Sequence, residues 1–121
     1  MAALAASQDR LTEKRLFEHL GIATAAYSAV DSLEELRAAA AGLGGPGVLK
    51  TRRLGYDGKG QARLSGPNDA ERAWGETGEA PAILEGLVQF DRELSIIAVR
   101  AAGGETAFYP LTENVHRNGI L

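Results

Sequence analysis

The chain contains no cysteine, so disulfide staples, thiol nucleophiles and thiolate-bound metals are all excluded. Histidine occurs only as His19 and His116, too few for a histidine-built zinc centre. No apolar run approaches the roughly 20 residues that span a bilayer. The opening Met1-Ala2-Ala3-Leu4-Ala5-Ala6-Ser7 lacks the basic start and the length of a secretory leader. A surplus of positive charge is missing as well. Thirteen basic residues stand against 16 acidic ones, and the net charge of −3 argues against general nucleic-acid binding, which needs a basic face. Neither a membrane nor a nucleic acid is an expected partner, and the expected location is cytoplasmic. What is present is 121 residues, 45% hydrophobic and 24% charged, which suits one globular domain or slightly less.

The densest chemical signal is Leu49-Lys50-Thr51-Arg52-Arg53-Leu54-Gly55-Tyr56-Asp57-Gly58-Lys59-Gly60-Gln61. A short apolar strand delivers a lysine, two arginines follow, and a three-glycine loop closes on Lys59 and Gln61. Glycines let backbone N–H groups approach phosphate oxygens closely, and cations neutralise the phosphate charge. Lys59 is followed by Gly60 where a Walker A loop places Ser or Thr for magnesium. Gln61-Ala62-Arg63-Leu64 continues as a strand where a dinucleotide fingerprint opens a helix. Asp57-Gly58 between two strands is hairpin chemistry. Two readings of the segment stand side by side, a glycine-rich flap over a polyphosphate and an ordinary basic hairpin.

Helix and strand patterns alternate along the first part of the chain. Leu16, Phe17 and Leu20 share one helical face ahead of Gly21, and a short extended piece covers residues 25–30. Asp31, with Glu34 three residues on, is the expected N-cap of a helix carrying Leu33, Leu36, Ala40 and Leu43. Strands are expected over 47–51 and 61–64, then a helix from about residue 68 with Trp74 facing inward, and a buried strand at 82–85. Beyond that the pattern changes. Residues 93–100 read as one longer strand, Gly103-Gly104 as a turn, and 106–110 and 113–116 as further extended pieces of an antiparallel meander without a covering helix. The chain reads as truncated, with a complete small α/β unit followed by the beginning of a second.

Five segments follow in order: Asp9-Arg10-Leu11-Thr12-Glu13-Lys14; Lys50 with the glycine loop; Ile83-Leu84-Glu85-Gly86-Leu87-Val88; Phe90-Asp91-Arg92-Glu93-Leu94-Ser95; and Phe108-Tyr109-Pro110-Leu111-Thr112-Glu113-Asn114-Val115-His116. Together they resemble the ATP-grasp enzymes, and within them the 5-(carboxyamino)imidazole ribonucleotide synthase branch of purine biosynthesis, over residues 8–121. The lysine, glycine loop and Glu-x-x-Val are general to ATP-grasp proteins. The Arg-Arg-x-Gly-Tyr-Asp-Gly-Lys-Gly-Gln run and the Tyr-Pro-x-x-Glu-Asn-x-His-Arg-x-Gly-Ile-Leu tail are particular to the branch.

The resemblance implies an α+β chain, a fragment of the ATP-grasp fold. Residues 1–8 are then an N-terminal remnant, 9–88 the small α/β lid subdomain, and 89–121 the first antiparallel strands of the second subdomain. It implies ATP-dependent carboxylation of 5-aminoimidazole ribonucleotide by bicarbonate, releasing ADP and phosphate. ATP contacts are implied at Arg10, Lys50, Gly55, Tyr56, Asp57, Gly58, Lys59, Gly60, Gln61, Glu85, Gly86, Leu87, Val88, Glu93 and His116. Tyr56, Asp57 and Lys59 are implied also to approach the ribonucleotide. No catalytic or metal-binding residue is assigned; Mg2+ is an implied cofactor whose ligands lie outside this chain, and the chain alone is expected to lack synthetase activity. The intact enzyme is expected to be a homodimer. Two alternatives stay open: a nucleotide-binding or docking module without catalysis, and another ATP-grasp carboxylase or ligase.

The side chains suit these roles. Lys50 at a strand end reaches phosphate oxygens as a point charge. Glu93 can accept from both hydroxyls of a ribose, with an ion pair to Arg92 as the plain alternative. His116 can donate to a phosphate or serve structurally, and Asp57 can contact ligand or simply open the Asp-Gly turn.

Overall fold

The computed structural model describes residues 7–53 and 60–116. The chain divides between Val88 and Gln89 into two compact units. In the first, helix α1 (Arg10–His19) precedes strand β1 (Tyr27–Val30), helix α2 (Leu33–Leu43), strands β2 (Gly47–Thr51) and β3 (Gln61–Leu64), a 3-10 turn at Pro67–Asp69, helix α3 (Ala70–Glu76) and strand β4 (Ala82–Gly86).

The sheet has the order β1-β4-β2-β3 with every neighbouring pair antiparallel. β1 and β2 therefore run parallel, with the later strand β4 inserted between them. That central position explains the unbroken apolar run Ala82-Ile83-Leu84: all three side chains are buried, because both faces of β4 are covered. One face packs Val30, Leu49, Ala62, Leu64, Ala82 and Leu84 against Leu36 and Ala40 of α2 and Ala70, Ala73 and Trp74 of α3. Alternation along the strands sends Val48, Lys50, Ile83 and Glu85 to the opposite face.

Three local expectations are corrected. The cap of α2 is Ser32, whose Oγ accepts from the Glu35 N–H at 3.2 Å. Asp31 is engaged elsewhere: its carboxylate pairs with the Arg52 guanidinium at 2.9 Å, and its own N–H donates to Glu35 Oε2 at 2.7 Å. In α1 the buried residue is Leu11, while Leu16 and Leu20 are exposed. The side of α1 turned to the sheet carries Arg10 and Lys14 beside the buried Leu11.

The third correction concerns the second unit. Residues 93–100 are not one strand; they form β5 (Glu93–Ser95) and β6 (Ala98–Arg100), separated at Ile96 and Ile97. β6 pairs with β7 (Thr106–Phe108) and β5 with β8 (Thr112–Asn114), so the chain makes a two-stranded antiparallel ribbon rather than a meander. Ser95 faces Thr112 and Ala98 faces Phe108, which sets two residues, Ile96 and Ile97, against Tyr109, Pro110 and Leu111. Between the two ladders one side therefore carries one residue more than the other, in a stretch that includes Pro110, which has no N–H to give to a ladder.

Candidate functional site

Two polar clusters stand where the sequence places candidate ligands, one in each unit. In the first, β2 and β4 pair Val48 with Glu85 and Lys50 with Ile83, so Lys50 and Glu85 are diagonal neighbours on one face. Lys50 Nζ donates to Glu85 Oε2 at 2.6 Å. The other carboxylate oxygen, Oε1, lies 3.2 Å from Lys14 Nζ, delivered by α1. Glu85 is thus clamped between two ammonium groups. Its side chain is 12% exposed, against 16% for Lys14 and 29% for Lys50. Burial pushes the Glu85 carboxyl up, but the Lys50 and Lys14 charges and hydrogen bonds outweigh it, and the net displacement is below the ordinary glutamate value.

Arg10 sits one turn before Lys14 and donates through Nη1 to the Thr51 carbonyl at 2.8 Å, while its backbone N–H donates to the Arg52 carbonyl at 3.0 Å. It therefore ties α1 to the end of β2. Arg52 continues the tie, donating from Nε to the Ala82 carbonyl at 3.2 Å. Past β2, Gly60 has a positive φ of 74° and its carbonyl accepts from the Thr51 N–H at 2.9 Å, closing the base of the loop. Gln61 opens β3 opposite Lys50 and is exposed. Gly55, Tyr56, Asp57, Gly58 and Lys59 lie outside the described residues.

At the end of β4 the backbone donors are unequally available. Gly86 N–H donates to the Ala26 carbonyl at 2.8 Å and Leu87 N–H to the Pro46 carbonyl at 3.0 Å. Among the described residues, Val88 N–H has no hydrogen-bond partner, and Val88 is exposed. Of residues 85–88, Val88 is the one with an amide donor ready for the edge of a planar heterocycle.

The second cluster lies on the ribbon. Glu93 and Asn114 are direct cross-strand partners, and His116 follows on the same face two residues later. Glu93 Oε1 accepts from Asn114 Nδ2 at 2.8 Å and lies 2.9 Å from His116 Nε2. Asn114 Nδ2 also donates to Ser95 Oγ at 2.6 Å. The His116 contact, then Asn114, hold the Glu93 carboxyl below its ordinary value. Among the described residues only Oε1 of Glu93 is committed to contacts, and Oε2 is placed to accept from a ligand hydroxyl.

Sequence reasoning singled out Lys50, Glu85, Glu93 and His116 separately; the structure joins the first two and the last two. It adds Lys14 and Asn114, which were not candidates. The Arg10–Lys14 spacing of one helical turn was a usable signal for the former, and the alternation Thr112, Asn114, His116 for the latter. Among the described residues, no group of three or more His, Cys, Asp or Glu side chains is arranged to hold a metal ion. No described helix is long and apolar enough to cross a membrane.

A family model for the ATP-grasp domain matches residues 15–121. The N5-carboxyaminoimidazole ribonucleotide synthase of Brucella melitensis is 52% identical over 99% of this chain and 34% of its own length. That of Pseudomonas aeruginosa is 53% identical over 98% of this chain and 33% of its own. The crystal structure of an N5-carboxyaminoimidazole ribonucleotide synthetase in complex with ADP superposes with a TM-score of 0.86 at 43% identity, covering 93% of this chain and 30% of that protein. The chain thus spans about a third of the length of the curated relatives it matches.

Proposed function

Because this chain belongs to the ATP-grasp family, we propose that it is the lid and the first strands of the second subdomain of an N5-carboxyaminoimidazole ribonucleotide synthase. The proposed boundaries are residues 9–88 and 89–121, after an N-terminal remnant at 1–8. The reaction consumes ATP and bicarbonate to form carboxyphosphate and ADP; the exocyclic amine of 5-aminoimidazole ribonucleotide then takes the carboxyl group, and phosphate leaves. The observation that carries this reading is the identity of just over one half to synthases of that name along nearly the whole chain. The Lys50–Glu85 arrangement supports it chemically.

In this reading Lys50 turns its ammonium to the phosphates of ATP, a point charge on a strand that cannot retreat. Gly60 and Gln61, with Gly55, Tyr56, Asp57, Gly58 and Lys59, cover the phosphates. Tyr56, Asp57 and Lys59 also reach the ribonucleotide. The Val88 N–H and the neighbouring carbonyls of the 85–88 segment receive the adenine edge. Glu93 accepts from the ribose hydroxyls through its uncommitted oxygen, and His116 and Asn114 hold its other oxygen still. Arg10 acts from α1 through the end of β2. Magnesium, when bound with ATP, would supply charge neutralisation at the phosphates, and its ligands are proposed to lie outside this chain. The intact enzyme is proposed to be a cytoplasmic homodimer.

The test is ADP release by the complete protein that carries this segment. Release requires 5-aminoimidazole ribonucleotide and bicarbonate together, and glycinamide ribonucleotide does not substitute. Lys50→Met lowers kcat/KM for ATP by at least about tenfold, the size of one lost charge-assisted hydrogen bond. Turnover with glycinamide ribonucleotide in place of 5-aminoimidazole ribonucleotide overturns the assignment.

A further inference from the structure

Two lysines share one carboxylate in the first unit, and the pair is not symmetric. Lys50 Nζ is the closer, at 2.6 Å, and its side chain the more exposed; Lys14 is farther, at 3.2 Å, and more deeply held. Lys14 comes from a helix, and Lys50 from the strand that leads into the glycine loop. A lysine locked in a 2.6 Å pair with a largely buried glutamate is a poor phosphate ligand, because leaving that glutamate uncompensated in a low-dielectric place is costly. A second cation on the same glutamate removes that obstacle. With Lys14 in place the trio carries one net positive charge, and the ammonium free to move is the exposed one.

We infer that Lys14 is a positioning residue for nucleotide binding: it keeps Glu85 paired so that Lys50 can transfer from Glu85 to a phosphate. The inference rests on the nucleotide reading of this site and adds to it the residue that makes Lys50 available. Arg10 cannot take the part, since its guanidinium is engaged with the Thr51 carbonyl. When Lys50 leaves, Oε2 of Glu85 loses its ammonium partner while Oε1 keeps its own, so no bare buried charge results.

Calorimetric titration of the complete protein that carries this segment, with ATP and with adenosine, tests this, with the thermal midpoint recorded for each variant. The wild type binds ATP more tightly than adenosine. Lys14→Met, similar in length and uncharged, weakens ATP by about tenfold and leaves adenosine unchanged, because the lost interaction is with phosphate. Lys14→Arg retains the ATP preference. Adding Glu85→Gln to Lys14→Met releases Lys50 and restores most of the ATP affinity. A structural role for Lys14 instead lowers the thermal midpoint and both affinities together, with no recovery from Glu85→Gln; that result overturns the inference and leaves the nucleotide site standing. A wild type that does not prefer ATP to adenosine overturns the nucleotide reading and the inference with it.

Discussion

Glu85 shows how much a single side chain can owe to its neighbours. A glutamate at the end of an apolar strand reads as solvated, yet here it is largely buried and carries two lysines. Burial alone raises its pKa; the lysines reverse the sign and leave it lowered. A carboxyl whose folded pKa lies below its unfolded one contributes stability above the ordinary value, near 4.5, and loses it as the pH falls through the folded value. Urea unfolding at pH 7 and pH 3 therefore shows a larger loss for the wild type than for Glu85→Gln, whose side chain does not titrate. Parallel losses in the two proteins mean that the clamp is not linked to folding. Lys50 and Glu85 were both legible as candidates from the residues around them. Their contact was not, because diagonal neighbours on a sheet depend on register, and register is set by the whole hydrogen-bonded ladder.

Element by element, the strands over 47–51 and 61–64 and the helix bearing Leu36 and Ala40 were legible, because periodicity and turn residues agree there. The cap of α2 was displaced by one residue because Asp31 is drawn to Arg52, a partner 21 positions away that no local pattern announces. The turned face of α1 was missed for a related reason. Leu16 and Leu20 suggest a buried stripe, but the side that is buried carries Leu11, with Arg10 and Lys14 beside it on partners in β2 and β4. Gly47 at the start of β2 links element to site. A Cβ there meets Leu43 Cδ2 at 2.8 Å and the Glu85 carbonyl oxygen at 3.0 Å. The leucine can turn aside, but the carbonyl moves only with β4. Gly47→Ala is expected to cost about 1–3 kcal/mol, as overpacking does, and to weaken ATP binding through the displaced Glu85. Unchanged urea midpoint and affinity contradict this.

For the whole molecule, the two units differ in how much apolar surface they cover. The first buries Val30, Leu36, Leu49, Ile83 and Leu84 completely or nearly so. The second exposes Phe90, Leu94, Ile96, Ile97, Val99, Phe108, Tyr109, Leu111 and Val115 on and around its two two-stranded ladders. Isolated two-stranded ribbons are marginal in water, since each backbone pair is open to solvent. Hydrogen exchange on the chain is expected to run at least about tenfold faster in β5–β8 than in β2 and β4, because local opening there breaks few buried contacts. Equal protection in the two units contradicts this.

The sequence by itself determined the family. Cysteine is absent and histidine sparse, a lysine on a short strand precedes a three-glycine loop, and the ordered segments from Arg10 to His116 are those of ATP-grasp proteins. These are properties of residue type and spacing, which survive without coordinates. Tertiary structure decided which charges meet. It inserted β4 between β1 and β2, and so brought Glu85 beside Lys50. It turned the side of α1 that bears Leu11 and Lys14 to the sheet and delivered Lys14 to the same carboxylate. It folded residues 93–116 into two short antiparallel ladders, one of which sets Glu93 against Asn114 and His116. Pairings between residues 21 to 71 positions apart follow from strand order and register. Those are fixed by which apolar faces can be buried together, a property of the assembled chain.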